Sequence, residues 1–309
     1  MERVYDIIII GGGPAGYSAA LYAARAGFDT CVIEKLSVGG QMSLTDVIDN
    51  YPGFDEGVDG ITLGFKMQAG AERFGARTEY TEVLGVELDG EIKKIITDSG
   101  EFFAYAVIIA MGAVPRELGI EGEAAFVGRG LHYCAHCDGR FYKDKVVAVV
   151  GGGNSAVSDA LYLSNLAKKV YIIHRRDTLR ATKVYHEPLR KAENIEFVWD
   201  SVVEDYIIDK KIVGVRIKNL KTEETRELFV DGLFVSIGRT PSTELFSGVL
   251  ELDKGGYILA DETTKTNIDG VYAVGDIRSK VLRQVVTAVS DGAVAAHFAE
   301  EYLARINRD

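Results

Sequence analysis

The sequence predicts an α/β fold made of two three-layer units, the second inserted into the first. Two observations predict it: a strand–glycine turn–helix–strand pattern that occurs twice, and a length suited to two cores. The chain has 309 residues, too many for one typical core and about right for two domains. Hydrophobic residues make up 47% and charged residues 26%, a globular balance that argues against disorder. With five prolines and no Pro- or Ser-rich stretch, any boundary is a short hinge.

The first copy spans residues 5–34. Its apolar run DIIII (6–10) reads as a parallel strand buried on both faces. GGGPAG (11–16) is the turn, YSAALYAARAG (17–27) a helix with one apolar face, and TCVIE (30–34) the second strand. Residues 145–174 repeat the order as VVAVV, GGGNSA, VSDALYLSNLA and VYIIH. Placing Gly11 over Gly151 also puts Ala20, Leu21 and Tyr22 over Ala160, Leu161 and Tyr162.

Each turn matches the dinucleotide fingerprint. Gly11 and Gly151 permit the tight turn, and Gly13 and Gly153 let the backbone approach a pyrophosphate. Gly16 and Ala156 let the helix pack closely on its strand, so the phosphates meet the helix N-terminus. The copies differ where the ribose binds. Glu34 ends the second strand of the first copy, about twenty residues past the glycines, where a carboxylate bonds ribose hydroxyls. That suits an adenosine without a 2′-phosphate. The second copy has His174 there, followed by Arg175, Arg176 and Arg180. A guanidinium cluster suits a 2′-phosphate through bidentate, charge-assisted bonds. The first site therefore reads as FAD and the second as NADPH.

Residues 266–276 form a short strand ending in Gly275-Asp276, before a helical segment reaching Ile306. Gly-Asp alone marks a turn; after a strand, in a chain with two nucleotide folds, it resembles the C-terminal Gly-Asp of the flavoprotein disulfide reductases, and that resemblance implies a carboxylate at the flavin. The first unit pauses near residues 112–115, and the second ends with the apolar run 233–237 and Gly238-Arg239-Thr240-Pro241. The expected organisation is 1–116 for FAD, 117–243 for NADPH and the dithiol, and 244–309 for the rest of the FAD unit.

Cys134 and Cys137 form a C-x-x-C just before the first strand of the second unit, with Asp138-Gly139 after it. Such spacing reads as a redox-active pair, half of a zinc site or an inert structural pair. Zinc would need two more ligands; His132 and His136 are near, but four ligands so close in sequence can hardly surround one ion. Asp138 reads either as a general acid or as the first residue of an Asp-Gly turn. His136 reads as a spacer, and Cys31, in an apolar strand, as a core thiol.

Three cysteines do not make a disulfide framework, and a net charge of −11 disfavours a non-specific phosphate-backbone binder. The N-terminal apolar run is too short and too acidic in its flank for a signal peptide, and no stretch is long enough to span a bilayer. These features read as soluble and cytoplasmic, with no nucleic-acid or membrane partner.

Together, GGGPAGYSAALYAARAG, GGQ (39–41), NYPG (50–53), YCAHCDG (133–139), GGGNSAV, HRRDTLR (174–180), GVYAVGD (270–276) and RQVVTA (283–288) resemble the low-molecular-weight bacterial thioredoxin reductases over essentially the whole chain. The resemblance implies thioredoxin, or a related redoxin, as partner and a homodimer. It places Pro14, Ala15, Lys35, Gly40, Gln41, Asn50, Gly112, Gly275, Asp276, Arg283, Gln284 and Val285 at FAD, and Asn154 and Ser155 at NADPH. It makes Cys134 the attacking thiol, Cys137 the flavin-facing one and Asp138 the acid. The chain departs from that pattern at His136, where threonine is common, at Met111, and at Ser290-Asp291-Gly292.

The nicotinamide site and the dithiol lie on one unit, yet both must reach the flavin on the other. The sequence organisation therefore predicts rotation of the second unit on its two linkers. An engineered cross-link joining the units is expected to abolish turnover; full turnover of the linked form would exclude the rotation.

Overall fold

A computed structural model describes residues 3–45 and 47–306. Strand β1 (Val4–Ile10), helix α1 (Pro14–Arg25) and strand β2 (Thr30–Glu34) open the chain. Helix α2 (Gly60–Glu72) and strands β3 (Arg77–Tyr80), β4 (Val83–Glu87), β5 (Lys93–Thr97), β6 (Gly100–Ile109) and β7 (Ala113–Pro115) follow. Next come β8 (Leu131–His132), the one-turn helix α3 (Ala135–Asp138), β9 (Val146–Val150), α4 (Asn154–Ser164) and β10 (Lys169–Ile173). Helix α5 (His186–Lys191) leads to β11 (Ile195–Val198), β12 (Ser201–Asp209), β13 (Lys211–Asn219) and β14 (Thr225–Phe229). Strands β15 (Gly232–Val235), β16 (Arg239–Pro241) and β17 (Val271–Ala273), then helix α6 (Val285–Leu303), complete the order.

The chain divides into two compact units. One runs to Val114 and resumes at Thr240; the other is Pro115–Arg239.

In the first unit, β3-β2-β1-β6 pair in parallel, β17 adds to β6 in parallel, and β5 and β4 continue antiparallel. Ile7 and Ile9 face a core with α1 and α6, while Ile8 and Ile10 face one with Phe246, Leu250 and Ile258. Apolar side chains on both faces explain why this strand reads as an unbroken apolar run rather than an alternation. The helices on one face and residues 246–260 on the other make the three layers.

The second unit repeats the plan. Its parallel sheet runs β11-β10-β9-β15-β8. Val147 and Val149 face α4, whereas Ala148 and Val150 face the antiparallel sheet β12-β13-β14 through Ile212, Val215 and Ile217.

Two boundaries differ from the sequence expectation. Helix α1 starts inside the glycine turn, because Pro14 occupies its first positions with φ already set for a helix. The C-terminal helix starts at Val285, well after Gly275-Asp276. Arg278 and Lys280 are bonded back onto Asp291 of that helix, and Gln284 is extended, so the intervening chain lies alongside α6 instead of continuing it. Among the described residues, no helix is long and apolar enough to cross a membrane.

Candidate active site and cofactor turns

Both glycine turns are built as the fingerprint requires. Gly11 (φ +109°) and Gly151 (φ +145°) take backbone conformations closed to most side chains. A Cβ on either would lie 2.5 Å from a carbonyl oxygen, of Ala110 and Ser236 respectively. At Gly13 and Gly153, by contrast, a Cβ would meet nothing within 4 Å. These two positions open onto space at the N-termini of α1 and α4, where a pyrophosphate would lie against bare backbone. Gly16 packs on the turn itself: its Cβ would fall 1.9 Å from the Gly11 carbonyl oxygen.

Above the middle glycine, the copies part. In the first, Glu34 Oε2 accepts the Gly12 N–H at 2.7 Å and Oε1 accepts the Leu36 N–H at 3.0 Å. In the second, the His174 ring fills that space: a Cβ on Gly152 would lie 2.3 Å from it. Burial holds the His174 pKa below its ordinary value against the Thr178 carbonyl that its Nε2 meets at 3.1 Å, and Arg176, Arg175 and Arg180 add to the lowering. The imidazole is thus neutral at neutral pH, and the cationic charge here belongs to arginine.

The loop after His174 folds back onto its turn. The Arg180 and Ala181 N–H groups donate to the Gly152 carbonyl at 2.8 and 3.1 Å, and Thr182 N–H donates to Asn154 Oδ1 at 2.8 Å. Arg175, Arg176 and Arg180 are exposed, and among the described residues no carboxylate pairs with them. The loop's own acid, Asp177, is held by Lys221 at 3.0 Å.

In the first unit, distant segments gather around the turn. Gly39 N–H donates to Gly12 O at 2.8 Å, and a Cβ on Gly40 would lie 3.5 Å from Gly13 Cα. Asn50 donates to Gln284 Oε1 at 2.9 Å, and Val285 packs with Met42, Ile48 and Leu63. Gly275 lies against Ala15, 3.1 Å from where its Cβ would be. Gly112 accepts the Ser242 N–H at 3.2 Å. Lys35 is turned away to Glu82, at 2.6 Å. Gln41 lies in the one-turn segment Gly40–Leu44, beside Gly39.

Asp291 is the residue whose part the sequence did not reveal; it stood out only within Ser290-Asp291-Gly292, where the chain departs from the family pattern. It is buried, accepts the Gly275 N–H at 2.9 Å, and takes Arg278 at 2.9 Å and Lys280 at 2.7 Å. Burial pushes its carboxyl up, but the bonds from Arg278 and Lys280 win and hold it below the ordinary carboxylate range. It therefore fixes the Gly275-Asp276 turn to α6.

In the second unit, Cys134 and Cys137 are joined as a disulfide at the start of α3. The Cys137 and Asp138 N–H groups donate to the Cys134 carbonyl at 3.3 and 3.1 Å. Both cysteines are half-buried, the His136 ring lies tilted against Tyr162 with centroids 4.3 Å apart, and Asp138 meets His132 at 3.0 Å. Cys31 is buried, and desolvation pushes its thiol up to about 12, which leaves it inert.

Residues 5–292 match the pyridine nucleotide-disulphide oxidoreductase family. The chain belongs to that family. It is 47% identical to the thioredoxin reductase of Peptoclostridium acidaminophilum, over 98% of each chain, and 46% identical to that of Streptomyces coelicolor, over 99% of this chain and 96% of the relative. The crystal structure of the Streptococcus pyogenes thioredoxin reductase superposes with a TM-score of 0.91 at 41% identity, covering 99% of this chain and all of that one. As an oxidoreductase of this family, the chain uses FAD and NADPH. The open cradles at Gly13 and Gly153, and the buried Arg283 Nε that has no partner among the described residues, fit these groups.

The Asp291 bridge should be costly to break. Replacing Asp291 with alanine strands two buried cations, and we expect a loss of about 3–5 kcal/mol in urea unfolding with weaker FAD retention. An unchanged midpoint and full FAD content would contradict this assignment.

Proposed function

We propose that this chain reduces the disulfide of thioredoxin with NADPH, through FAD and the Cys134–Cys137 pair. The observation that carries the reading is the half-buried Cys134–Cys137 disulfide, placed on a one-turn helix of the second nucleotide unit with a carboxyl directly after it. The close resemblance to thioredoxin reductases over the full chain supports thioredoxin as the substrate.

In this reading residues 1–116 and 244–309 hold FAD, and 117–243 hold NADPH and the dithiol. Gly11, Gly13, Gly16 and Glu34 receive the FAD pyrophosphate and ribose, with the Gly40–Gln41, Asn50, Gly112, Gly275–Asp276 and Arg283–Val285 segments around the flavin. Gly151, Gly153, Asn154 and Ser155 receive the NADPH pyrophosphate, and Arg175, Arg176 and Arg180, beside His174, its 2′-phosphate. We place the protein in the cytoplasm as a homodimer, on the strength of the resemblance and of its composition.

When bound, NADPH and FAD supply the two electrons that open the Cys134–Cys137 disulfide. Cys134, as thiolate, attacks one sulfur of the substrate disulfide, breaking that bond and forming a mixed disulfide. Asp138 protonates the sulfur that leaves. Cys137 then attacks Cys134, which restores the enzyme disulfide and releases the second substrate thiol. Two enzyme thiols are oxidised, two substrate sulfurs are reduced, and two protons pass with them.

The test is oxidation of NADPH by the yellow holo-protein with oxidised thioredoxin. We expect thioredoxin-dependent turnover that Cys134→Ser abolishes. Flavin bleaching without turnover would move the reading to a reductase for another disulfide, and oxygen consumption in place of thioredoxin reduction to a dithiol oxidase.

A further inference from the structure

The histidine that the sequence offered only as a metal ligand has a different place. His132 ends β8 and is 5% exposed, within the unit that carries the disulfide. Its Nδ1 lies 3.0 Å from Asp138 Oδ2, and its Nε2 lies 2.6 Å from the Tyr142 hydroxyl. The ring stacks on Phe234, with centroids 5.1 Å apart, and Tyr142 meets it edge-on at the same distance.

The protons in the chain can be assigned. Burial, reinforced by the charge of Asp138, pushes the Tyr142 hydroxyl up to about 12, so it keeps its proton at neutral pH. Its O–H can therefore donate to Nε2 at 2.6 Å, which leaves Nδ1 to present an N–H to Asp138 at 3.0 Å. The Asp138 side chain is 21% exposed against 6% for His132, so the ring grips the carboxyl from inside while the carboxyl remains accessible. Asp138 also closes the turn on the Cys134 carbonyl, which joins the gripped carboxyl and the dithiol in one short rigid segment.

We propose that His132 is a positioning residue for thiol–disulfide exchange: it holds the Asp138 carboxyl beside the dithiol, and Tyr142 fixes the tautomer that lets it do so. The inference rests on reading Asp138 as the acid. In the exchange, the Asp138 carboxylate takes the proton of an enzyme thiol and gives it to the leaving substrate sulfur. His132 donates a hydrogen bond to it throughout.

A histidine that merely fills the core would predict independent effects of the two residues, which separates the readings. Holoenzyme reduced beforehand is mixed with oxidised thioredoxin, and the rate of exchange is followed in His132→Leu, His132→Asn, Tyr142→Phe, Asp138→Asn and the His132→Leu/Asp138→Asn double variant. Loss of a positioned general acid costs about 10²-fold or more, so we expect Asp138→Asn to lose that much and His132→Leu to lose roughly tenfold or more. In the double variant, His132→Leu should cost nothing further, because its effect passes through Asp138. His132→Asn, whose amide N–H can replace Nδ1–H, should recover most of the rate, and Tyr142→Phe should slow exchange in the same direction with the ring packing kept. These last two carry the test if His132→Leu does not fold. Equal losses from His132→Leu in both backgrounds, or none in either, would overturn the proposal while leaving Asp138 as the acid. A wild-type rate in Asp138→Asn would overturn the reading of Asp138, and this inference with it.

Discussion

The structure depends on one constraint: a nucleotide pyrophosphate needs backbone N–H groups with no side chain in the way. At Gly13 and Gly153 the space where a side chain would begin is empty, and each glycine stands at the N-terminus of a helix. The helix must then start at once and lie hard against its strand, which requires the special backbone of Gly11 and Gly151. The strand beneath must be central, with apolar side chains on both faces, to carry a helix layer on one side. The fold is what two such turns require, made twice in one chain.

Duplicating the turn leaves the question of how each copy chooses its nucleotide. We propose that the answer lies directly above the middle glycine. Glu34 bonds the Gly12 N–H and brings a carboxylate to the strand end, hostile to an additional phosphate. His174 fills the same space with a neutral ring, and the loop behind it is bonded down so that three exposed arginines stand beside it. In this proposal the choice is one of electrostatics on a common frame.

Much of this was legible in the sequence because it is local. The apolar runs at 7–10 and 146–150, the glycine spacings, Glu34 against His174, and the C-x-x-C all lie within short windows whose spacing the chemistry dictates. The antiparallel sheet of residues 201–229 went unread, although β13 alternates buried and exposed positions along much of its length. The parts of Asp291 and His132 were illegible for a different reason. Asp291 meets Gly275 sixteen residues away, and His132 meets Asp138 around a turn whose path no propensity fixes. The departure from the family pattern at Ser290-Asp291-Gly292 was the available signal for the first; for the second there was none. The start of α6 was misplaced for the same reason, since ion pairs to Asp291, rather than helix propensity, decide where residues 278–284 lie.

The most direct test of this account is nucleotide preference after the arginines are removed. In the Arg175→Ala/Arg180→Ala holoenzyme, the KM for NADPH should rise by roughly tenfold or more, the scale of a lost charge-assisted contact, while the KM for NADH stays where it was. Equal weakening of both nucleotides, or no change in either, would show that the loop after His174 does not read the 2′-phosphate.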